Sequence, residues 1–426
     1  MSKTGNIWSR PSVRNIGKLL SANIVAQAIG LLVYPLLTRL YTPEDFGLMN
    51  LFTSIGGVLI LLSTLDWHKA VVLPKRDEDA GAVVHLSLLA IGVLTVILLL
   101  TIPFARPIAN LFNTPELATY YWLLPAYVCL MGIWNILNYW FIRCKAYNRI
   151  SGYQISQSLF SAGYKSGFGF MGYLGGGLIY SSVLSPLCSL VISISLSVKK
   201  HLLPLFTWNK DACRQMAATY SNFPKFSLPH SLINNIAGQL PVLLLTPFFG
   251  PRLIGFWGMA LLLSFAPISM ITNALYQVFY QETTNKVNAG KSIAHVHRRF
   301  TTWSFVVIIP FFTALWFVLP WLTQWLLGEE WCVTGEYIRW LLPWLLFKFL
   351  CASTGYLYDV FSKQKIGLIF EIIIAIARLI GLGIGIYFDD FVLAIACYAI
   401  ASAVINGVQY IWLMSFVKRY EQKLAI

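Results

Sequence analysis

The 426-residue chain has too few charged residues for a soluble domain: 57% of its residues are hydrophobic and only 11% are charged. Ordinary soluble domains carry about 25% charged residues. The mean hydropathy of +0.67 points the same way. A net charge of +14 would suggest nucleic acid as the partner of a soluble protein, but in a membrane protein the charge is assigned loop by loop. The composition predicts an integral membrane protein with no nucleic-acid partner.

Twelve segments are apolar and long enough to cross a membrane as helices, for which about 20 residues are needed. They cover approximately residues 16–38, 44–65, 81–104, 118–142, 149–172, 175–198, 225–248, 253–280, 300–327, 338–360, 365–387 and 391–417. We therefore predict an all-α polytopic membrane protein with about twelve transmembrane helices. Its N-terminal lobe covers 1–198, a cytoplasmic linker covers 199–224, and the C-terminal lobe covers 225–426.

The distribution of Lys and Arg predicts the orientation of these helices, because cytoplasmic loops retain basic residues. If the N-terminus is cytoplasmic, most Lys and Arg fall in cytoplasmic segments. The opposite turns hold only Arg39, Arg106, Arg252 and Arg339. With twelve helices, both termini are predicted to be cytoplasmic.

Two short patterns recur about half a chain apart. Pro43-x-x-x-Gly47 and Pro251-x-x-x-Gly255 each lie between two apolar segments. A short basic turn follows helix four and another follows helix ten. A parallel repeat of six helices would explain both recurring patterns. Such a repeat predicts two pseudo-symmetric six-helix bundles around a central cavity. The alternative is that apolar segments resemble one another through composition alone.

Three basic residues fall inside predicted spans, namely Lys165, Lys348 and Arg378. A charge in mid-membrane is costly unless it has a partner or faces a water-filled cavity. Glu371 is the one acid clearly at similar depth, and it is seven residues from Arg378 on the same helix. An ion pair of Glu371 with Arg378 or with a neighbouring Lys is the structural alternative. One carboxylate cannot neutralise three cations, so we predict a cavity that binds an anion.

Polar residues at helical spacing predict which helix faces line this cavity. The lining residues are Asn23 and Gln27 in helix one, Gln154, Gln157 and Ser161 in helix five, Asn234 in helix seven, and Asn273 in helix eight. Interhelical hydrogen bonding without a ligand is the alternative for each face alone. Taken together with the cations, the four faces favour a polar cleft between the lobes.

Signals for metal sites, cofactors and catalysis are weak. The seven cysteines form no Cys-x-x-Cys pair, and His295 and His297 lie in a basic loop with no Cys or acid at ligand spacing. The chain contains no G-x-x-x-x-G-K-[ST] motif for nucleotide binding. The predicted periplasmic turns are too short to hold a separate active-site domain. We predict no metal, no cofactor and no enzymatic activity.

Residues 35–80 resemble the first hairpin of Wzx-type polysaccharide flippases, of the multidrug/oligosaccharidyl-lipid/polysaccharide exporter (MOP) superfamily. The resemblance lies in LLTRLYTPEDFG at 36–47 and in AVVLPKRDEDA at 70–80, on either side of an apolar helix. Trp67-His68 departs from the pattern, because members often carry an aromatic residue and an acid there.

This resemblance implies alternating-access transport of an undecaprenyl-pyrophosphate-linked oligosaccharide from the cytoplasmic to the periplasmic leaflet of a bacterial inner membrane. The pathway would be that of O-antigen, and hence lipopolysaccharide, or of a related surface polysaccharide. Lys165, Lys348 and Arg378 would bind the pyrophosphate, since Lys and Arg are the usual phosphate ligands. Glu371 would be a charge partner or an ion-coupling group. The implied partners are the lipid-linked substrate, the bilayer, a glycan polymerase and a chain-length regulator.

Three other functions remain open from the sequence. An ion-coupled drug/cation antiporter of the same superfamily would need a membrane acid in its first lobe, and helix one has no Asp or Glu. A lipid II flippase usually has more than twelve helices. A membrane-embedded glycan polymerase or ligase is the third alternative.

Overall fold

The computed structural model describes residues 11–173, 175–198, 208–288, 292–293, 302, 306, 308–361 and 363–424, and these residues contain helices but no β-strand. In the first half the α-helices are α1 Pro11–Leu40, α2 Pro43–Ser63, α3 Asp77–Leu100, α4 Ala105–Leu111, α5 Leu117–Tyr120, α6 Leu124–Arg143, α7 Tyr147–Phe170 and α8 Gly176–Ser195. They continue as α9 Lys210–Thr219, α10 Leu228–Asn288, α11 Ile309–Leu327, α12 Cys332–Thr354, α13 Tyr356–Val360, α14 Gln364–Tyr387 and α15 Phe391–Leu424.

Ten helical stretches in the described residues are apolar and long enough to cross a membrane. They are Ala22–Leu40, Pro43–Ser63, Asp77–Leu100, Leu117–Arg143, Gly176–Ser195, Asn235–Ser269, Ile309–Leu327, Glu329–Val360, Lys365–Tyr387 and Phe391–Gln422. Two differences separate these ten from the twelve predicted segments. Predicted helix five forms α7, which is too polar to be included among the ten apolar stretches. Predicted helices seven and eight are joined in the single helix α10. The prediction of an all-α polytopic membrane protein is confirmed.

The bend within α10 lies at Gly250, where the backbone leaves the helical region with φ of 75° and ψ of 172°. A positive φ of this kind is accessible to glycine because it lacks a Cβ atom. The predicted turn between helices seven and eight is therefore present as a break at one residue.

The chain divides into two compact units, Met1–Gly255 and Phe256–Ile426. Within the first unit, α7 packs against α1 and α8, and α3 packs against α6 and α9. Within the second unit, α15 packs against α12 and α14, and α11 packs against α12. The predicted lobes at 1–198 and 225–426, with their linker at 199–224, stay a prediction.

Part of the predicted linker is an ordered helix. Asn209 caps α9, since its side-chain oxygen accepts hydrogen bonds from the backbone N–H groups of Asp211 at 3.0 Å and Ala212 at 3.1 Å. Cys213 and Met216 are buried in a cluster with residues of α3 and α6. This amphipathic helix thus covers the first turns of α3 and contributes to the core of the first unit.

A capping box fixes the start of α2. The Asp45 carboxylate accepts a hydrogen bond from the Thr42 backbone N–H at 2.9 Å, and the Thr42 hydroxyl accepts one from the Asp45 N–H at 3.4 Å. Pro43 occupies the first turn, where its missing N–H costs no hydrogen bond. The TPED sequence at 42–45 therefore specifies a sharp reversal between α1 and α2.

The two Pro-x-x-x-Gly patterns contact each other within the first unit. A Cβ atom on Gly47 would lie 1.7 Å from the Pro251 carbonyl oxygen, and one on Gly255 would lie 1.8 Å from the Pro43 carbonyl oxygen. Such an approach of two backbones requires glycine at both positions. Reciprocal contacts of this kind are characteristic of two-fold-related surfaces. The contact therefore agrees with the predicted internal repeat.

Candidate functional site

Lys165 lies on α7, half-buried beside α1. Its Nζ atom is 5.9 Å from the centroid of the Tyr34 ring, close enough for a weak cation–π attraction. Its backbone carbonyl oxygen accepts a hydrogen bond from the Tyr41 hydroxyl at 2.7 Å, which ties the end of α1 to α7. No carboxylate in the described part of the chain is within ion-pair distance of Lys165. Its charge is therefore available to an anion.

The seam between α1 and α7 brings together two of the four predicted polar faces. Ser158 donates a hydrogen bond to the Ala26 carbonyl oxygen at 2.5 Å. The Oε1 atoms of Gln27 and Gln154 are buried and accept no hydrogen bond from the described residues. The remaining predicted lining residues on these two helices are the exposed Asn23 and the half-buried Gln157 and Ser161.

The other two polar faces belong to α10. Asn234 and Asn273 both fall within this helix, Asn234 before the break at Gly250 and Asn273 after it. Their side chains lie outside the described residues. Their assignment to the cavity stays a prediction.

Arg378 of α14 lies in an aromatic corner of the second unit. Its guanidinium carbon is 4.8 Å from the Tyr398 ring centroid and 5.0 Å from that of Trp344. Its Nε atom donates a hydrogen bond to the buried Ser402 hydroxyl at 2.9 Å. The aromatic contacts and the single bond at Nε fix the guanidinium, and no described carboxylate pairs with it. A guanidinium offers five N–H donors, so the two terminal nitrogens remain for a further acceptor.

Lys348 and Glu371 form a loose pair between α12 and α14. The Lys348 Nζ to Glu371 Oε1 distance is 3.9 Å, and the two side chains are 30% and 54% exposed. A pair with this separation and exposure contributes little to stability. Of the structural alternatives at Glu371, the pair with a neighbouring lysine forms and the pair with Arg378 does not. The cations thus divide between the units, with Lys165 in the first and Lys348 and Arg378 in the second.

A second charged cluster, to which the sequence analysis gave no role, lies between α2 and α10. Asp66 is fully buried, and its Oδ2 atom accepts hydrogen bonds from Lys69 at 2.7 Å, Ser227 at 2.7 Å and Ser231 at 2.8 Å. Burial alone would raise the pKa of Asp66, but these three donors and the Lys69 charge hold the pKa below its usual value. The signal in the sequence is an acid and a lysine three residues apart where an apolar helix ends.

His68 is buried next to this cluster. Its Nδ1 atom is 2.7 Å from the Thr64 hydroxyl, and its ring meets that of Tyr139 edge-on at 5.1 Å. Burial lowers the pKa of His68 to about 4, although the nearby Asp66 carboxylate opposes this effect. His68 is therefore neutral at pH 7.

Three solved transporters of the MOP superfamily have a similar fold. An inward-facing multidrug resistance MATE family transporter aligns with a TM-score of 0.69 and 15% identity, over 97% of this chain and 99% of that chain. An outward-facing MATE family transporter aligns with a TM-score of 0.56 and 17% identity, over 96% of each chain. A MOP superfamily transporter from Pyrococcus furiosus Vc1 (DSM3638), described as having a binding pocket of reverse polarity, aligns with a TM-score of 0.53 and 16% identity. That alignment covers 95% of this chain and 96% of the other. At these identities the likeness defines the fold alone. It confirms the predicted all-α fold of two pseudo-symmetric bundles, and the cytoplasmic location of both termini stays a prediction.

Residues 36–335 match the family model described as "Polysaccharide biosynthesis protein", and the chain belongs to this family. A search of curated proteins gave no match. The predicted resemblance to polysaccharide flippases of the MOP superfamily is confirmed at the level of family and fold.

Proposed function

We propose that this protein is a flippase that moves an undecaprenyl-pyrophosphate-linked oligosaccharide repeat unit from the cytoplasmic to the periplasmic leaflet of a bacterial inner membrane. The main support is the presence of Lys165 and Arg378 inside the helices with no carboxylate partner in the described residues. Membership in a polysaccharide biosynthesis family and a fold shared with solved transporters support a lipid-linked glycan as the anion.

The pyrophosphate is the part of this substrate that the cations would bind. Arg378 is suited to bidentate contact with phosphate oxygens, because Tyr398, Trp344 and Ser402 hold its guanidinium and leave its terminal nitrogens available. Lys165 would add a flexible point charge. Lys348 would exchange its distant Glu371 partner for a phosphate oxygen when the substrate arrives.

The sugars would contact the polar faces that flank these cations. Sugar hydroxyls both donate and accept hydrogen bonds, and the amide oxygens of Gln27 and Gln154 are buried with no donor among the described residues. Asn23, Gln157 and Ser161 extend the same seam, and Asn234 and Asn273 would contribute from α10. Rocking of two lobes about a cleft would pass the head group across the membrane while the lipid tail stays in the bilayer.

This function involves no bond-breaking step, so the protein would act as a transporter and not as an enzyme. Its product would be used by a glycan polymerase and a chain-length regulator in O-antigen, and hence lipopolysaccharide, or related polysaccharide synthesis. Direct contact with those proteins is part of the proposal.

A deletion strain complemented with single variants tests the function and the site together. We expect the deletion to accumulate lipid-linked oligosaccharide on the cytoplasmic side and to lose surface glycan. Lys165→Ala, Lys348→Ala and Arg378→Ala should each fail to restore display while reaching the membrane in normal amounts. Arg339→Ala is the matched control, because Arg339 is a cation of α12 that lies 5.4 Å from the Trp316 ring and outside the proposed site.

Two outcomes would contradict the proposal. Normal glycan display from all three variants would remove the anion site. A deletion that leaves glycan export intact but sensitises cells to cationic drugs would favour a drug/cation antiporter instead.

A further inference from the structure

A small cavity of about 70 Å³ lies within the first unit, between the start of α7 and the end of α8. Its polar lining comes from Asn148, Arg149, Tyr153 and Ser156 of α7 and from Ser189 and Ser193 of α8. Of the serines, Ser156 donates to the Tyr153 carbonyl oxygen at 3.0 Å. Lys165 is about 24 Å further along α7, at ~1.5 Å rise per residue, so this cavity is separate from the proposed substrate cations.

Three hydroxyl groups in the cavity wall are buried and have no hydrogen-bond partner among the described residues. They belong to Tyr153, Ser189 and Ser193, whose exposed fractions are 2%, 0% and 5%. The Tyr153 ring is fixed by stacking on Trp134, with ring centroids 3.3 Å apart. Burying a hydroxyl without a partner costs free energy, and native proteins rarely leave several such groups side by side. This wall is therefore complementary to a polar ligand.

Two other buried serines of α8 lie outside the cavity, and their hydrogen bonds provide a comparison. Ser181 and Ser185 share the four-residue spacing of Ser189 and Ser193 and are equally buried. Ser181 donates to the Leu178 carbonyl oxygen at 2.7 Å, and Ser185 donates to the Ser181 carbonyl oxygen at 2.5 Å. Such back-bonding is the usual choice of a helical serine. Ser189 and Ser193 depart from it where they line the cavity.

The electrostatics of the cavity favour an anion. Arg149 lies in the lining, pairs with no carboxylate in the described chain, and has no Asp or Glu beside it in the wall. The cavity also lies at the first turns of α7, a 24-residue helix whose N-cap residue, Ala146, provides no side-chain cap. The helix dipole adds positive potential there.

We propose that this cavity is a phosphate-binding site, in which Arg149 binds the charge and Tyr153, Ser189 and Ser193 donate hydrogen bonds to the phosphate oxygens. Its volume is far larger than the ~10–15 Å³ that one water molecule needs, so an ion of several heavy atoms fits. The phosphate could be supplied as free inorganic phosphate or as the head group of a membrane lipid, and the chemistry of recognition is shared. This site does not depend on the proposed flippase function.

The test measures phosphate binding to the purified full-length protein in detergent, by isothermal titration calorimetry with inorganic phosphate. We expect the wild type to bind, and Arg149→Gln to bind at least roughly tenfold more weakly, since a charge-assisted bond is lost. The double variant Ser189→Ala/Ser193→Ala should also lose affinity. The control double variant Ser181→Ala/Ser185→Ala should keep wild-type affinity, because those hydroxyls already bond their own helix.

A second arm distinguishes the two sources of phosphate. Nanodiscs containing phosphatidylglycerol or only phosphatidylcholine are compared for lipid retained by the wild type and by Arg149→Gln. If the wild type retains phosphatidylglycerol and Arg149→Gln does not, the ligand is a lipid head group. If phosphate binding is the same in both lipids, the ligand is the free ion. Two results would overturn the proposal and leave water as the occupant of the cavity. One is that the wild type binds no phosphate or lipid in either arm, and the other is that the wild type and the cavity variants bind with equal affinity.

Discussion

At the scale of single residues, Asp66 is held in an unusual backbone conformation by the bonds that its side chain makes. Its φ of 61° is rare for a residue with a Cβ atom, and the preceding Leu65 also has a positive φ of 50°. Three donors converge on one carboxylate oxygen, which stabilises the left-handed conformation. The cluster therefore joins the end of α2 to the start of α10.

Removing the lysine of this cluster should destabilise the protein more than removing both charges. Lys69→Met leaves the buried Asp66 carboxylate without its cation, and we expect a loss of ~1–3 kcal/mol in the free energy of unfolding. Asp66→Asn/Lys69→Met should recover part of this loss, because no buried charge remains. Thermal unfolding of the four proteins of this double-mutant cycle measures the coupling. Strictly additive effects would show that the two side chains do not interact.

The stability of the protein should fall as the pH drops from 7 towards 4. The pKa of His68 in the folded protein is about 4, below the ~6.5 of an exposed histidine. The stability contributed by neutral His68 is therefore full above pH ~6.5 and is lost as the pH falls towards 4, by up to ~3 kcal/mol. The lowered pKa of Asp66 acts in the same direction at lower pH.

His68→Gln should flatten this pH dependence between pH 6.5 and 4. The exposed His230 offers a control, since His230→Gln removes a histidine without altering a buried site. Unfolding midpoints measured across the pH range compare the variants. Equal pH profiles for the wild type and His68→Gln would contradict the assignment.

The cations were predictable from the sequence and their partners were not. Lys165, Lys348 and Arg378 stand out because a charge in an apolar segment is costly wherever the helix lies. Glu371 could have paired with Arg378 on its own helix, and its choice of Lys348 depends on how α12 and α14 pack. Asp66 was overlooked because its serine partners follow it by more than 160 residues.

At the scale of helices, glycine substitutions should separate close backbone contacts from ordinary packing. Gly47→Ala and Gly255→Ala each place a methyl group against a backbone carbonyl, and we expect a cost of at least ~1–3 kcal/mol. Gly57→Ala on the same helix as Gly47 is the control, because its Cβ would be 3.7 Å from the nearest atom, the Gln239 amide nitrogen. Unfolding temperatures of the three variants check this, and three equal values would refute the close contact.

Hydropathy predicted most of the helices because membrane spans are long and apolar. Residues 149–172 were predicted as one of these apolar spans; they form the helix α7, which is more polar than the other spans. Helix α9 was assigned to the linker because it is short and covers α3 without spanning. The break at Gly250 and the contact between the two Pro-x-x-x-Gly patterns depend on tertiary packing, which an echo in the sequence does not specify.

At the scale of the whole molecule, the proposed function predicts that Glu371→Gln alters substrate affinity and release. The substitution leaves Lys348 without its carboxylate, so the head group should bind up to roughly fivefold more tightly, as expected for an exposed ion pair. Slower release should reduce export. Binding of lipid-linked oligosaccharide to the purified variant, measured beside glycan display in cells, tests both parts.

The same variant tests ion coupling. Export is measured before and after collapse of the proton or sodium gradient. If export by the wild type changes and export by Glu371→Gln does not, Glu371 is the coupling group. Unchanged affinity in Glu371→Gln would show that Glu371 does not restrain Lys348.

The reciprocal contact of Gly47 and Gly255 has a consequence for how an internally repeated gene can change. Elsewhere, the two copies of a repeat meet different neighbours and can diverge independently. Here each glycine faces the proline carbonyl of the other copy, so a larger residue in either copy disrupts both ends of one contact. The two copies are therefore constrained together at this point, and both must keep a glycine for the contact to form.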